Sequence, residues 1–407
     1  MNLKVEGRYF FKDGKPFFWL GDTAWLLFEK LTPEQIQYYL CDRAQKGFNV
    51  IQATILHTIS GVESKKTACP EYFDKIARAV QYAKSKGVYF ALLPCWGELV
   101  KRKTVNIQNC KVYARFLGER FKDFDNIIWV LGGDIRGGEA FELYCRFADI
   151  LKEHNPERLI SFHPFGRTGS YRWFNGCDWL DFNMFQSGHR RYGQSGIESA
   201  DGADHEEDNY KYVSEGHALT PLKPCLDAEP SYEGIVQGLH DFSQPYWQAA
   251  DVRRYAYWSV LAGACGFTYG HNAVMQFHSE GDADANYGVR ENWRDALSAD
   301  GACQMKYLKQ LMLSVDFTKG KCRDDLIIDN GTRYGHTACF ADGDFALLYN
   351  FNGDGIRIKP PFGGQCAAYY FNPSDGKKTF IGNFDGKSNL AFPAQGNSDY
   401  AVILKKL

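Results

Sequence analysis

Several things are missing from this 407-residue chain, and each absence removes a class of function. None of its 12 cysteines stands in a C-x-x-C pair, so a zinc ribbon or dithiol redox centre lacks its ligands. No H-x-H or H-E-x-x-H spacing occurs, and neither a metal nor a cofactor is expected. A Ser-His-Asp pattern, a G-x-S-x-G elbow and a phosphate-cradling glycine loop are absent too. Neither sign of charge dominates. The 47 Lys and Arg against 49 Asp and Glu leave a net charge of −2 and no basic block, so nucleic acid and anionic membrane are not expected as partners. No apolar run reaches the ~18 residues of a membrane-spanning helix. The opening MNLKVEGRYFFKDGKPFF has no apolar h-region, and with its scattered cysteines the chain reads as cytoplasmic.

What is present is apolar, aromatic and regularly spaced. Aromatic residues make up 15% of the chain, with 9 Trp and 24 Tyr, which suits a large core and also a ligand with flat faces such as a sugar. Short apolar runs predict strands at 17–20, 49–56, 88–95, 127–131, 159–163, 180–185, 225–228 and 266–269. Amphipathic helical stretches lie between them. In the first, Thr32 is the N-cap, Pro33 fits the first helical position, Gln35 completes a capping box and Gly47 ends the helix. Eight strand-then-helix units predict an α/β fold, a (β/α)8 TIM barrel over residues 1–317, with its extra length in loops at 187–217 and 271–291. Beyond Phe317, Asp-Gly and Asn-Gly pairs separate short alternating stretches, as in TACFADGDFALLYNFNGDG. They predict a small all-β sandwich over 318–407.

In such a barrel the strand ends converge on one face, where side chains share a cleft. Those ends carry Asp22 and Trp25, His57, Trp96, Asp134, His163, Asn183 with Gln186, Glu229, and His271 with Asn272. Asp134 closes the run IIWVLGGD, and the glycines before it leave room for a ligand beside the backbone. Two carboxylates across a cleft, among aromatic rings and amide or imidazole groups, suit cleavage of a glycosidic bond. Plainer roles stay open. Asp134 could cap the following helix, Glu229 could be a loop acid held extended by Pro230, the histidines could be core groups and Trp96 could be packing. Asp227 and Glu233 are rival acids within LDAEPSYEG.

Four stretches in order, FFWLGDTAW, IIWVLGGD, LDAEPSYEG and LAGACGFTYGHNAV, resemble the apiosidase-like glycoside hydrolases of family 140 and its clan A relatives. WRDALSADGACQMKYLKQLM resembles the helix that closes their barrel, and YYFNPSDGKKTFIGNF the small β-domain labelled collagen-binding, read here as a cap on the barrel. The resemblance implies that Asp134 is the acid/base and Glu229 the nucleophile. Gly-Asp replaces the Asn-Glu usual in the clan, as it does throughout the apiosidase-like group. The sugar would be held by Asp22, His57, Trp96, His163, Gln186 and His271, with Tyr232 and Tyr269 contributing. The resemblance favours apiose as the sugar, on pectic polysaccharide side chains or oligosaccharides; the long loops after strands six and eight suggest a walled pocket and so exo-action, and the carboxyl pair is read as retaining. An endo-β-glycanase of clan A type and a non-catalytic carbohydrate-binding barrel are the alternatives.

Overall fold

A computed structural model describes residues 3–57, 69–194 and 205–407. The chain opens on an antiparallel sheet of β1 (Leu3–Glu6), β2 (Tyr9–Lys12) and β3 (Lys15–Phe17), which the strand pattern of the sequence does not predict. Its signal is Asp13-Gly14, both at positive φ as a two-residue hairpin turn requires. Phe10 is fully buried, with its ring 5.6 Å from Trp19 and 5.0 Å from Phe182, so the hairpin closes the bottom of the barrel.

The barrel strands are β4 (Trp19–Thr23), β5 (Val50–Thr54), β6 (Tyr89–Leu93), β7 (Ile127–Ile135), β8 (Ile160–Pro164), β10 (Asn183–Gln186), β11 (Cys225–Glu229) and β12 (Gly266–Tyr269). They run parallel in the order β8-β7-β6-β5-β4-β12-β11-β10, and the short β9 (Thr168–Gly169) pairs antiparallel with β10. The seam between β8 and β10 is bridged by Asp181 N donating to Ile160 O at 2.9 Å and Ser161 Oγ donating to Phe182 O at 2.6 Å. Nearly every strand residue is buried, because helices cover the outside and side chains fill the inside. Helix Pro33–Gln45 begins as its sequence demands, with Thr32 Oγ1 accepting from Gln35 N at 3.3 Å and Gln35 reaching back to Thr32 N at 2.9 Å. Residues 195–204 of the long loop lie outside the described residues.

The C-terminal part comprises β13 (Lys321–Cys322), β14 (Thr337–Ala341), β15 (Phe345–Asn350), β16 (Ile356–Ile358), β17 (Gln365–Phe371), β18 (Lys378–Asp385), β19 (Leu390–Phe392) and β20 (Tyr400–Lys406). Six of these strands form one sheet and β16-β19 a second. Side chains on the larger sheet alternate in what they bury, as the two-residue period of a strand dictates. Phe345, Leu347, Tyr349, Ala401 and Ile403 join the barrel's core, while Ala346, Leu348, Val402 and Leu404 join a separate core beneath β16 and β19. The sheet is thus a middle layer. Across its barrel face, Arg253 donates to Asp399 through Nε at 2.9 Å and Nη2 at 2.6 Å, and Tyr257 stacks on Tyr349 at 4.5 Å.

Candidate active site

The end of β7 departs from a regular strand in a way that explains its glycines. Gly132 pairs with His163 and Ile135 with Pro164, so two residues bulge out between them. All three of Gly132, Gly133 and Asp134 have positive φ, at 92°, 98° and 48°. A Cβ on Gly132 would collide with the carbonyl oxygen of His163, and one on Gly133 would lie 2.6 Å from Cε3 of Trp96. Aspartate is among the few side-chain-bearing residues that tolerate the left-handed region. The bulge lifts Asp134 out of the strand's alternation into the cleft. Lys101 Nζ ties the bulge down by donating to Asp134 O at 2.7 Å. A Gly133→Ala substitution is expected to lower the thermal midpoint, with about 1–3 kcal/mol from the backbone alone and more from the ring clash. A melt of the variant beside the parent checks this.

Glu229 ends β11 opposite. The backbone N–H groups of Ser187 and Gly188 donate to its carbonyl at 3.0 and 3.1 Å. The same turn brings His189, at φ 76°, under the hydroxyl of Ser231, to which its N–H donates at 2.8 Å. This places His189 Nε2 2.9 Å from Glu229 Oε1. From β8, His163 Nε2 stands 2.9 Å from Glu229 Oε2, an approach too oblique for a hydrogen bond. His163 is itself held between Trp25, edge-on with ring centroids 5.3 Å apart, and Trp96, tilted at 5.7 Å.

One oxygen each of Asp134 and Glu229 and one nitrogen of His163 lie within 4.8 Å of one another. Their surroundings drive the two carboxyls apart. Burial pushes Asp134 up to about 6, helped by the charge of Glu229 and opposed by His163 and His189. Burial acts the same way on Glu229, but His163 and His189 overcome it and hold that carboxyl down to about 2. Near pH 5 one group keeps its proton and the other is charged, the division of labour that acid-base work needs. His57 is pushed down to about 3 by burial and is neutral there. The same trio is the cluster among the described residues that could hold a cation, yet both oxygens of Glu229 already stand against imidazole nitrogens.

The cleft above these groups has a volume of about 360 Å³. Of the side chains expected there, Asp134, Glu229, His57, Trp96, Gln186 and Tyr232 line it, as does Trp25, and His163 lies directly behind Glu229. Three others sit elsewhere. Asp22 and Tyr269 point out of the barrel towards the helices, which a strand-end position does not reveal. Asp22 is fully buried, accepting from Tyr39 Oη at 2.6 Å with Arg43 Nε at 3.4 Å, and burial raises its carboxyl. Tyr269 donates to Glu233 at 2.6 Å, and His271 faces Glu291 at 3.4 Å. Both rival acids are likewise outside the cleft. Asp227 is walled in by Ser187, Asn209 and Ser259, and Glu233 is taken by Tyr269. The polar and aromatic lining residues that sequence reasoning missed are Glu98, Lys101, Phe165, His189 and Tyr287. Only His189 left a trace, as the third residue after Gln186 in QSGH.

Residues 4–319 match the sequence model of the family described as apiosidase-like, catalytic domain. Two solved structures are similar over the full chain. One is described as a glycoside hydrolase, with 38% identity and a TM-score of 0.94, covering 100% of this chain and 97% of its own. The other, a glycoside hydrolase family 5 structure from Bacteroides vulgatus, shares 38% identity with a TM-score of 0.93, covering 100% and 94%. An endo-1,4-β-D-mannanase from Thermotoga petrophila, at 14% identity, TM-score 0.53 and coverage of 72% and 100%, shares the barrel fold. No curated protein sequence matches. Over most of its length, therefore, the chain belongs to the apiosidase-like family, and it is a glycoside hydrolase.

Proposed function

We propose that this glycoside hydrolase removes a terminal sugar, with apiose favoured, from pectic side chains or oligosaccharides, by double displacement at Asp134 and Glu229. The observation that carries the reading is the pairing itself: a protonated carboxyl and a charged one whose nearest oxygens are within 4.8 Å. Retaining enzymes hold their carboxyls ~5–5.5 Å apart, and inverting ones leave ~6.5–9.5 Å for a water. Asp134 would protonate the glycosidic oxygen as Glu229 attacks the anomeric carbon. The C–O bond to the leaving group breaks and an ester to Glu229 forms. Asp134, now a carboxylate, takes a proton from water, and that water displaces Glu229 and restores both groups. A cleft of about 360 Å³, near the lower end for ligand sites, favours one sugar at a time and so exo-action. His57, Trp96, Gln186 and Tyr232 would hold that sugar.

The test is release of monosaccharide from rhamnogalacturonan II oligosaccharides, with the anomer first formed read by proton NMR. Retained configuration supports double displacement, inverted configuration sinks it, and release of another sugar removes apiose. The pH profile is set by the two shifts. Glu229 is ionised above about 2 and Asp134 protonated below about 6, so kcat/KM should plateau between these values and fall about tenfold per pH unit above the upper one. A profile still rising at pH 8 would contradict the roles given to the two acids.

A further inference from the structure

The imidazole that meets Glu229 Oε1 is held by its main chain more than by its ring. His189 Nδ1 has no hydrogen-bond partner among the described residues, and the ring stands at right angles to Tyr232 with centroids 4.8 Å apart. The backbone of His189 sits in the left-handed region at φ 76°, a conformation that persists only where the surroundings fix the chain. At the residue itself, its N–H donates to Ser231 Oγ and its carbonyl accepts from Gly238 N, both at 2.8 Å. The hold on the chain beyond it comes from further away.

Three residues on, Tyr192 N donates to Glu207 Oε1 at 2.6 Å, and Gly193 N donates to Glu206 Oε1 at 2.9 Å. Glu207 is fully buried, and its other oxygen accepts from Arg254 Nη2 at 2.5 Å, on the helix Ala249–Leu261. The C-terminal part completes this clamp. In the short turn Arg333–Gly335, between β13 and β14, Tyr334 Oη donates to Glu207 Oε1 at 2.9 Å. Its ring lies 5.1 Å from that of Tyr192 and 4.9 Å from the Arg254 guanidinium, and the Arg333 guanidinium covers Tyr192 at 4.9 Å. Tyr334 is 38% exposed and does not line the cleft. Docking of the sheet on the barrel is already supplied by the Arg253–Asp399 pair and the shared core. What Tyr334 adds is a grip on the stretch of chain that carries His189.

We infer that Tyr334 is a positioning residue: through Glu207 it fixes Tyr192 and so seats His189 against Glu229. Its effect on turnover rests on the proposed function, but the seat of His189 is read without substrate. With Glu229 a carboxylate, the N–H on His189 Nε2 donates to it. That proton, buried and bonded, should give a downfield signal in the proton NMR spectrum, assigned by its loss in His189→Asn. In Tyr334→Ala the signal should broaden or vanish at a temperature where circular dichroism shows the fold intact. On the oligosaccharide, kcat should fall about tenfold with KM unchanged. The acid limb of the kcat/KM profile should move up by about one pH unit, because a carboxylate that loses a donor loses part of what favours its charge. The other titratable groups acting on Glu229 or feeling its charge, namely Asp134, His57, His163, Asp227, Tyr232 and Tyr287, are untouched by the substitution. Tyr334→Phe keeps the ring beside Tyr192 and Arg254 and should lose about threefold in kcat; it carries the test alone if the alanine variant does not fold. An unchanged signal in the folded variants, or none in the parent, overturns the positioning role. A wild-type chain that shows the signal and its loss on substitution but releases no sugar keeps the positioning role and loses the proposed function.

Discussion

Replacing Glu229 with alanine is expected to lower kcat by about four decades or more, some 5.4 kcal/mol at 1.36 kcal/mol per decade. The reason lies in what the protein invests in this carboxylate. It is buried, which disfavours its charge, and two imidazole nitrogens at 2.9 Å restore that charge. A group merely holding a sugar hydroxyl would need neither. Under the proposed mechanism, losing the carboxylate removes the attacking atom and leaves His163 and His189 facing an empty space, with Asp134 intact but nothing to complete the displacement. Steady-state kinetics on the oligosaccharide read the loss. Added azide or formate, small enough to fill the vacated volume, should restore turnover with inverted product. A loss below about tenfold would mean that the nucleophile is another group; Asp227 and Glu233 are sealed away from the cleft, which leaves water or Glu98, the other carboxylate lining it.

The second large effect is at Asp134, and it depends on the leaving group. General acid catalysis contributes about 10²–10⁴-fold, so Asp134→Ala should cost that much on the natural glycoside. An aryl glycoside whose phenolate leaves unaided needs no proton and should form the enzyme-linked ester at close to the normal rate. Hydrolysis of that ester would then limit turnover, because no base is left to activate water. A pre-steady-state burst of phenolate before slow turnover is the expected signature. The basic limb of the pH profile should vanish with the group that sets it. A variant that loses equal activity on both substrates would show Asp134 acting through the structure of the bulge and not as an acid.

The barrel was legible in the sequence because its strands are buried on both faces and read as unbroken apolar runs. The place of the carboxyl pair in one cleft was legible, since Gly-Gly-Asp is an odd ending for such a run. The hidden part was direction. Asp22 and Glu229 both stand at strand ends, yet one meets Arg43 on a helix and the other meets two histidines across the cleft. Nothing in a linear pattern records that difference, because local twist and a register shift of β11 against β10, where Phe185 pairs with Asp227 but Gln186 with Glu229, decide it. His189 was hidden for a related cause: it comes three residues after a strand, and only its left-handed turn over Ser231 brings it home. The opening hairpin was missed although Asp13-Gly14 announces it, its strands being too short to stand out.

The middle layer of the C-terminal part has a consequence for how this protein can be divided. Leu347 and Leu348 are neighbours in the chain but belong to two different interiors. The boundary that composition draws near residue 317 is therefore not a seam in the packing. A gene fragment that stopped there would encode a barrel with one raw flank, stripped of the leucines, tyrosines and ion pair that now cover it, and prone to stick to its copies.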